Sequence, residues 1–171
     1  LGYPTPHEEL EIVNRMGVSP PQPAEVVSLA DVLRLQAAAD ACYCDRSVVE
    51  YAVNLVLATR TPQNYGLADL APFLEFGASP RASLGLVRAG RAMALLRGRN
   101  YVVPQDIFDV APEIMRHRLV LTYEALAADV DAEQIMIRVL STVPAPVIQP
   151  SQIAGPNDAY YRSGTDSQAW G

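Results

Sequence analysis

Residues 76–98 read FGASPRASLGLVRAGRAMALLRG and carry the longest helical signal in the chain. Ser79 is a favoured N-cap residue, and the fixed φ angle of Pro80 suits the first helical position. Gly98 and Asn100 favour a stop after the last turn. The pattern therefore predicts a helix over residues 80–98, starting just after Ser79.

Arg81 falls in the first turn of this predicted helix, where free backbone N–H groups already make the helix end positive. Local preferences favour Asp or Glu there, and departures from local preferences tend to mark functional or strained sites. A bound anion would remove the conflict, because the N–H groups and the guanidinium fork both donate to phosphate oxygens. We predict that Ser79, Pro80 and Arg81 form a phosphate-sensing site. The alternative is a solvated surface arginine.

Arg88 and Arg91 continue the same helix, with Arg88 seven residues after Arg81 on nearly the same face and Arg91 near its edge. With Arg81 they would form a positive stripe on an otherwise acidic protein. The alternative is that both side chains lie along a partly buried helix and pair with carboxylates.

Working outward from this stretch, apolar residues recur at helical spacing behind capping residues in several other segments. Pro112 is expected to break or kink one of the predicted helices. Residues 60–79 are expected to be irregular, and Val120 and Leu121 to be briefly extended. The sequence predicts an all-α fold, a small bundle of five to six helices, with helices at residues 5–16, 28–42, 45–59, 80–98, 104–117 and 131–142.

Proline positions divide the chain. Three prolines fall within residues 18–27, which predicts a loop, and residues 145–171 are rich in Pro, Gly, Ser, Asn and Gln. We predict a leading segment with a linker at 1–27, a helical domain at 28–144 and a disordered tail at 145–171.

The charge balance bears on the function class. The net charge is −6, and all thirteen basic residues are arginines. An acidic surface repels phosphate backbones, so we expect no nucleic-acid partner. Without lysine the chain has neither a Walker lysine nor a Schiff-base lysine. No run of about 18 apolar residues is present, so no membrane span is predicted.

The residues that most often bind metals give a weak signal. Cys42 and Cys44 are too close for an easy disulfide and too few for a zinc site, which indicates a reducing, cytoplasmic location. His117 is interpreted as a cation near a helix C-terminus. Asp106 and Asp109 are interpreted as a solvated helix face or as first-turn caps. We expect no metal site.

Five short motifs, in order along residues 2–146, resemble MoxR-type AAA+ ATPases. Residues 77–82, GASPRA, are similar to the sensor-2 motif of that family. Residues 101–107, YVVPQDI, and 116–119, RHRL, resemble two elements that follow it. Upstream, residues 58–60, ATR, resemble the end of the family's second lid helix, and residues 2–9 resemble the joint after its arginine-finger region.

The resemblance implies that this chain is the C-terminal helical lid of such an ATPase, packed on an α/β core that would precede Leu1. Arg81 would be the sensor-2 arginine, catalytic through contact with the γ-phosphate of ATP, and Ser79 and Pro80 would start its helix. ATP and magnesium would belong to the full-length protein. The lid would pack on its own core, and the full-length protein would form a ring of identical copies, typically a hexamer. That ring would have a chaperone-like role and would act with a von Willebrand factor A domain protein.

The chain has no G-x-x-x-x-G-K-[ST] sequence and no Walker B strand, so we expect it to be inactive alone. Two other classes stay open. A free-standing helical adaptor without nucleotide chemistry fits the composition equally well. A small metal or hydrolytic enzyme fits less well, because no H-E-x-x-H sequence or nucleophile elbow is present.

Overall fold

A computed structural model of the chain describes residues 2–18, 20 and 22–147. They form two compact units, which divide between residues 34 and 35. Within the described residues the fold is predominantly helical, as predicted, with α1 at Pro6–Met16, α2 at Leu29–Ala41, α3 at Arg46–Arg60, α4 at Pro80–Leu96, α5 at Pro104–Met115, α6 at Tyr123–Ala127 and α7 at Ala132–Thr142.

The first unit contains α1, whose start follows the predicted pattern. The Thr5 hydroxyl accepts from the Glu8 N–H, and the Glu8 carboxylate accepts from the Thr5 N–H at 2.7 Å. This reciprocal capping box satisfies two of the free donors of the first turn. No residue of α1 is buried, so its apolar side chains, including Ile12 and Met16, are exposed.

The second unit is held by an apolar core between α3, α4, α5 and α7. Leu55, Leu86, Ile107 and Ile135 are completely buried, one from each helix. Burying a side chain of this size contributes about 1.5–3 kcal/mol. Helical spacing predicted the burial of Leu55, Ile107 and Ile135, but it also assigned Phe108 and Ile137 to inward faces, and both are exposed.

Helices α4 and α5 pack very closely at Gly90. A Cβ atom there would lie 2.6 Å from Cδ1 of the buried Ile107 and 3.3 Å from Cγ1 of Val102. A larger residue would fit there only if the end of the Ile107 side chain moved, so the glycine allows the close approach. The helix that carries Arg81 thus packs closely against α5 at Gly90.

Two short extended pieces complete the second unit. Strand β1, Leu74–Phe76, pairs antiparallel with β2, Val120–Leu121, and the extended piece at Val120 and Leu121 was predicted. Beside them, the Thr122 hydroxyl donates to the Pro72 carbonyl at 2.7 Å. These bonds fix the segment that leads into α4.

The structure corrects the prediction for residues 60–79. They are not irregular throughout: 3₁₀ helices form at Pro62–Tyr65 and Ala68–Phe73 before β1. Their short turns and internal proline, Pro72, lack the 3.6-residue apolar period on which the prediction relied. The five-residue helix α6 was missed for the same reason.

Helix α5 does not end at Pro112, where we expected a break or kink. It continues to Met115, and a 3₁₀ turn at Arg116–Arg118 follows. Proline removes one intrahelical hydrogen bond, but burial of Ala111 and Met115 on either side of it holds the last turn in the core. Most of the predicted tail, residues 148–171, lies outside the described residues.

Across the described ranges, no helix is both long enough and apolar enough to cross a membrane.

Candidate functional site

The predicted site lies at the start of α4. Ser79 is the N-cap residue in extended conformation, with φ −81° and ψ 169°, and Pro80 is the first helical residue, as predicted. The Ser79 carbonyl accepts from the Ala82 N–H at 2.8 Å. The Ser79 hydroxyl makes no capping hydrogen bond, so the side-chain cap that we expected is absent. The first-turn N–H groups thus lack the partner that a serine usually provides.

Arg81 is the second residue of α4, and its side chain is exposed. Among the described residues no acidic side chain pairs with it, and α4 has no acidic residue in its first turn. The guanidinium therefore stands with its donors available at the positive end of a helix, an arrangement that favours an anion.

The residue before this helix start is held by the end of α3. Ala78 is completely buried, and both of its backbone polar groups bond to consecutive residues. Its N–H donates to the Thr59 hydroxyl at 3.0 Å, and its carbonyl accepts from Arg60 Nε at 2.6 Å. The Thr59 hydroxyl in turn donates to the Val56 carbonyl at 2.7 Å.

Gly77 makes this contact possible. A Cβ atom at Gly77 would lie 2.3 Å from the Thr59 carbonyl oxygen and 2.8 Å from the Arg60 nitrogen. Both are backbone atoms, which cannot move aside as a flexible side chain can. Two of the sequence motifs, residues 58–60 and residues 77–82, therefore meet in space, which the sequence did not reveal.

Within the described ranges, Arg88 and Arg91 lack the carboxylate partners that one of the two interpretations of the sequence gave them. Neither forms an ion pair in the described part of the chain. Arg88 is exposed and Arg91 is half-buried. The Nε atom of Arg91 is buried without a hydrogen-bond partner there. The pairing of these arginines with carboxylates is thus not found.

The prediction for Asp106 was partly wrong. Its carboxylate does cap the start of α5 by accepting from the Val103 N–H at 2.9 Å, but it is completely buried rather than solvated. Arg97 and Arg99 both donate to it. Burial would raise the pKa of Asp106, but hydrogen bonds from Arg99 and Val103 and the charge of Arg99 hold that pKa below its usual value. In the sequence, two arginines shortly before a capping aspartate were the signal from which this ion pair could have been predicted.

Cys42 and Cys44 are free thiols, and Cys42 is buried. Burial raises the pKa of both, that of Cys44 to about 11, although the charge of Arg91 opposes the shift. Thiols with raised pKa values are poor nucleophiles and poor metal ligands at neutral pH. In the described ranges no group of three or more His, Cys, Asp or Glu side chains is arranged to hold a metal ion.

Comparison with known proteins shows the family. Residues 68–139 match the model of the AAA lid domain. Over 148 residues the chain is 50% identical to Chaperone MoxR1 of Mycobacterium tuberculosis, which covers 86% of this chain and 39% of that protein. The chain belongs to the MoxR family of AAA+ proteins, as part of its lid region. The resemblance drawn from the five motifs is thus confirmed.

Other relatives agree with the MoxR assignment. Protein MoxR of Methylorubrum extorquens is 49% identical over 75 residues, which is 43% of this chain and 22% of that protein. A crystal structure of a candidate ATPase from Cytophaga hutchinsonii superposes with a TM-score of 0.77 at 36% identity, covering 86% of this chain and 45% of that one. The MoxR lid chain therefore spans less than half the length of these relatives.

Proposed function

We propose that this chain is the nucleotide-sensing lid of a MoxR-type ATPase and that Arg81 contacts the γ-phosphate of ATP held by a neighbouring core. The observation that carries the proposal is the exposed guanidinium of Arg81 at the start of α4, which has no acidic partner among the described residues. A lone helix start would be weak support. The position of Arg81 inside the GASPRA motif of an AAA lid region strengthens the proposal.

Arg81 would act through electrostatics. In phosphoryl transfer, charge on the transferring oxygens is stabilised best by donors that are already in place. A guanidinium on the lid would supply such donors and would also tie the lid to the phosphate. When the phosphate leaves, that bond is lost and the lid relaxes, which couples hydrolysis to lid movement.

The rest of the protein follows from the same proposal. Residues 1–27 would form the joint with the core and residues 28–144 the lid, with the tail beyond. The core would bind ATP and magnesium, since this chain has no Walker lysine. We further propose a cytoplasmic ring, typically hexameric, that works as a chaperone with a von Willebrand factor A domain partner.

The test is ATP hydrolysis by the full-length protein that contains this chain. We expect Arg81→Ala to lower kcat by about 100-fold or more, which is the typical cost of losing one preplaced donor to developing charge. The control is Arg46→Ala, which removes an exposed arginine that pairs with Glu50 near the start of α3. Circular dichroism would check that both variants fold.

Unchanged turnover in folded Arg81→Ala would overturn the sensing role. If the full-length protein hydrolyses no ATP at all, the adaptor alternative replaces the ATPase proposal. If Arg81→Ala melts the lid, then Arg81 is a structural residue.

A further inference from the structure

We infer that Thr59 and Arg60 are positioning residues for Arg81: together they clamp Ala78 and thereby fix the start of α4. The role of Arg81 in this inference rests on the proposed function, but the clamp itself rests on contacts within this chain. We assign neither residue a direct contact with the nucleotide. Each acts through the backbone that leads to Arg81.

The clamp holds both polar groups of a single peptide position. The Thr59 hydroxyl accepts a hydrogen bond from the Ala78 N–H, and Arg60 Nε donates to the Ala78 carbonyl. Thr59 is 1% exposed, so its hydroxyl cannot exchange this partner for water. An unsatisfied buried N–H costs about 1–3 kcal/mol, which is why this hydroxyl defines where Ala78 sits.

The path from the clamp to Arg81 is short and stiff. Only Ser79 and Pro80 separate Ala78 from Arg81, and the ring of Pro80 fixes one of the intervening backbone angles. On the other side, the backbone contact at Gly77 prevents the segment from sliding along α3. A shift of Ala78 would therefore move the guanidinium directly.

Such a shift matters because phosphoryl transfer depends on position. When a distant mutation misplaces a catalytic group by 1 Å, the rate can fall by about 100-fold. Thr59→Val keeps the shape of the side chain but removes the acceptor for the Ala78 N–H. Thr59→Ser keeps that acceptor. The two variants thus separate the hydrogen bond from the packing.

The first experiment measures the clamp in the 171-residue chain by amide hydrogen exchange. We expect the Ala78 N–H to exchange at least about 10-fold faster in Thr59→Val, because the loss of one buried hydrogen bond changes local opening by that factor. Thr59→Ser should restore slow exchange. Unchanged protection of Ala78 in Thr59→Val would refute the clamp, whatever Arg81 does.

The second experiment measures single-turnover ATP hydrolysis in the full-length protein. Arg60→Lys keeps the charge but loses the Nε donor, and Arg46→Ala is the matched control in the same helix. We expect Thr59→Val and Arg60→Lys each to slow hydrolysis by at least about 10-fold. Thr59→Ser and Arg46→Ala should hydrolyse ATP at the original rate.

A double-mutant cycle with Arg81→Ala then identifies the route of the effect. If Thr59 acts through Arg81, Thr59→Val should cause no further loss in the Arg81→Ala background. An equal further loss there would mean that Thr59 acts elsewhere and would overturn the positioning role. Failure of the proposed function is distinguishable, because Arg81→Ala alone would then hydrolyse ATP normally.

Discussion

Arg99 and Asp106 form a two-pronged ion pair, with Nη1 of Arg99 2.8 Å from Oδ2 and Nη2 2.6 Å from Oδ1. Arg97 adds a third bond of 2.8 Å to Oδ1, and the Val103 N–H adds a fourth. The carboxylate thus ties the end of α4 to the start of α5. This geometry is the strong, bidentate form of an arginine–carboxylate contact.

Asp106→Ala should lower the free energy of unfolding by about 2–3 kcal/mol, because it removes the buried carboxylate that two arginines share and leaves the Val103 N–H without its acceptor. The loss is smaller than for a fully enclosed pair, since both arginines reach solvent. Urea denaturation would measure it. Asp109→Ala is the control: it removes a partly exposed partner of Arg97 and should cost less than about 1 kcal/mol. Equal costs would contradict the special role of Asp106.

The stability of the chain should decrease in acid. The pKa of Asp106 is lower in the folded chain than its ordinary value of 3.8. As the pH falls below about 4, the Asp106 carboxylate is protonated in the unfolded chain before it is protonated in the folded chain. The contribution of Asp106 to stability is therefore fully present above that pH and is lost as the pH falls toward the folded pKa. Asp106→Asn should flatten this decrease in urea titrations between neutral pH and pH 3. An identical slope in the variant would show that other carboxylates account for all of it.

Gly77→Ala should destabilise the chain by about 2 kcal/mol, because the new methyl group would overlap the Thr59 carbonyl and force the backbones apart. Thermal unfolding would measure the change. Gly2→Ala is a suitable control, since nothing lies within 4 Å of a Cβ atom there. A Gly77→Ala chain as stable as the Gly2→Ala chain would rule out the close contact.

Cys44 should react slowly with iodoacetamide at pH 8. Its pKa of about 11, against a usual 9.0, lowers the thiolate fraction by roughly 100-fold relative to the unfolded chain. Peptide mass spectrometry would separate it from Cys42. Because the folded pKa is the higher one, this thiol also makes the chain less stable as the pH rises from 9 to 11. Labelling of Cys44 at the same rate in urea and in buffer would disprove its burial.

The sequence predicted the elements that depend on local chemistry. The Thr5 cap of α1 and the capping box of Asp131 with Gln134 follow local rules, because such caps involve residues only three apart. The position of Arg81 in the first turn of α4 followed from Ser79 and Pro80 in the same way. Its role in nucleotide sensing stays a prediction.

The rest depends on contacts between distant residues. Thr59 meets Ala78 across 19 positions, and Arg97 meets Asp106 across nine. Periodicity and capping rules describe one element at a time, so they cannot show that the end of one helix receives the start of another. For Asp106 they identified the cap correctly but not the burial, which depends on how α4 packs on α5.

The grip on Ala78 has a mechanical consequence. The segment before α4 is held on both sides, because β1 pairs with β2 and Ala78 is hydrogen-bonded to α3. It therefore cannot absorb a small displacement of the helix start. Because the Ala78 hydrogen bonds join this segment to Thr59 and Arg60, a displacement of the first turn of α4 would be transmitted to the end of α3. A longer, glycine-rich connection at the same place would absorb the same displacement as loop motion.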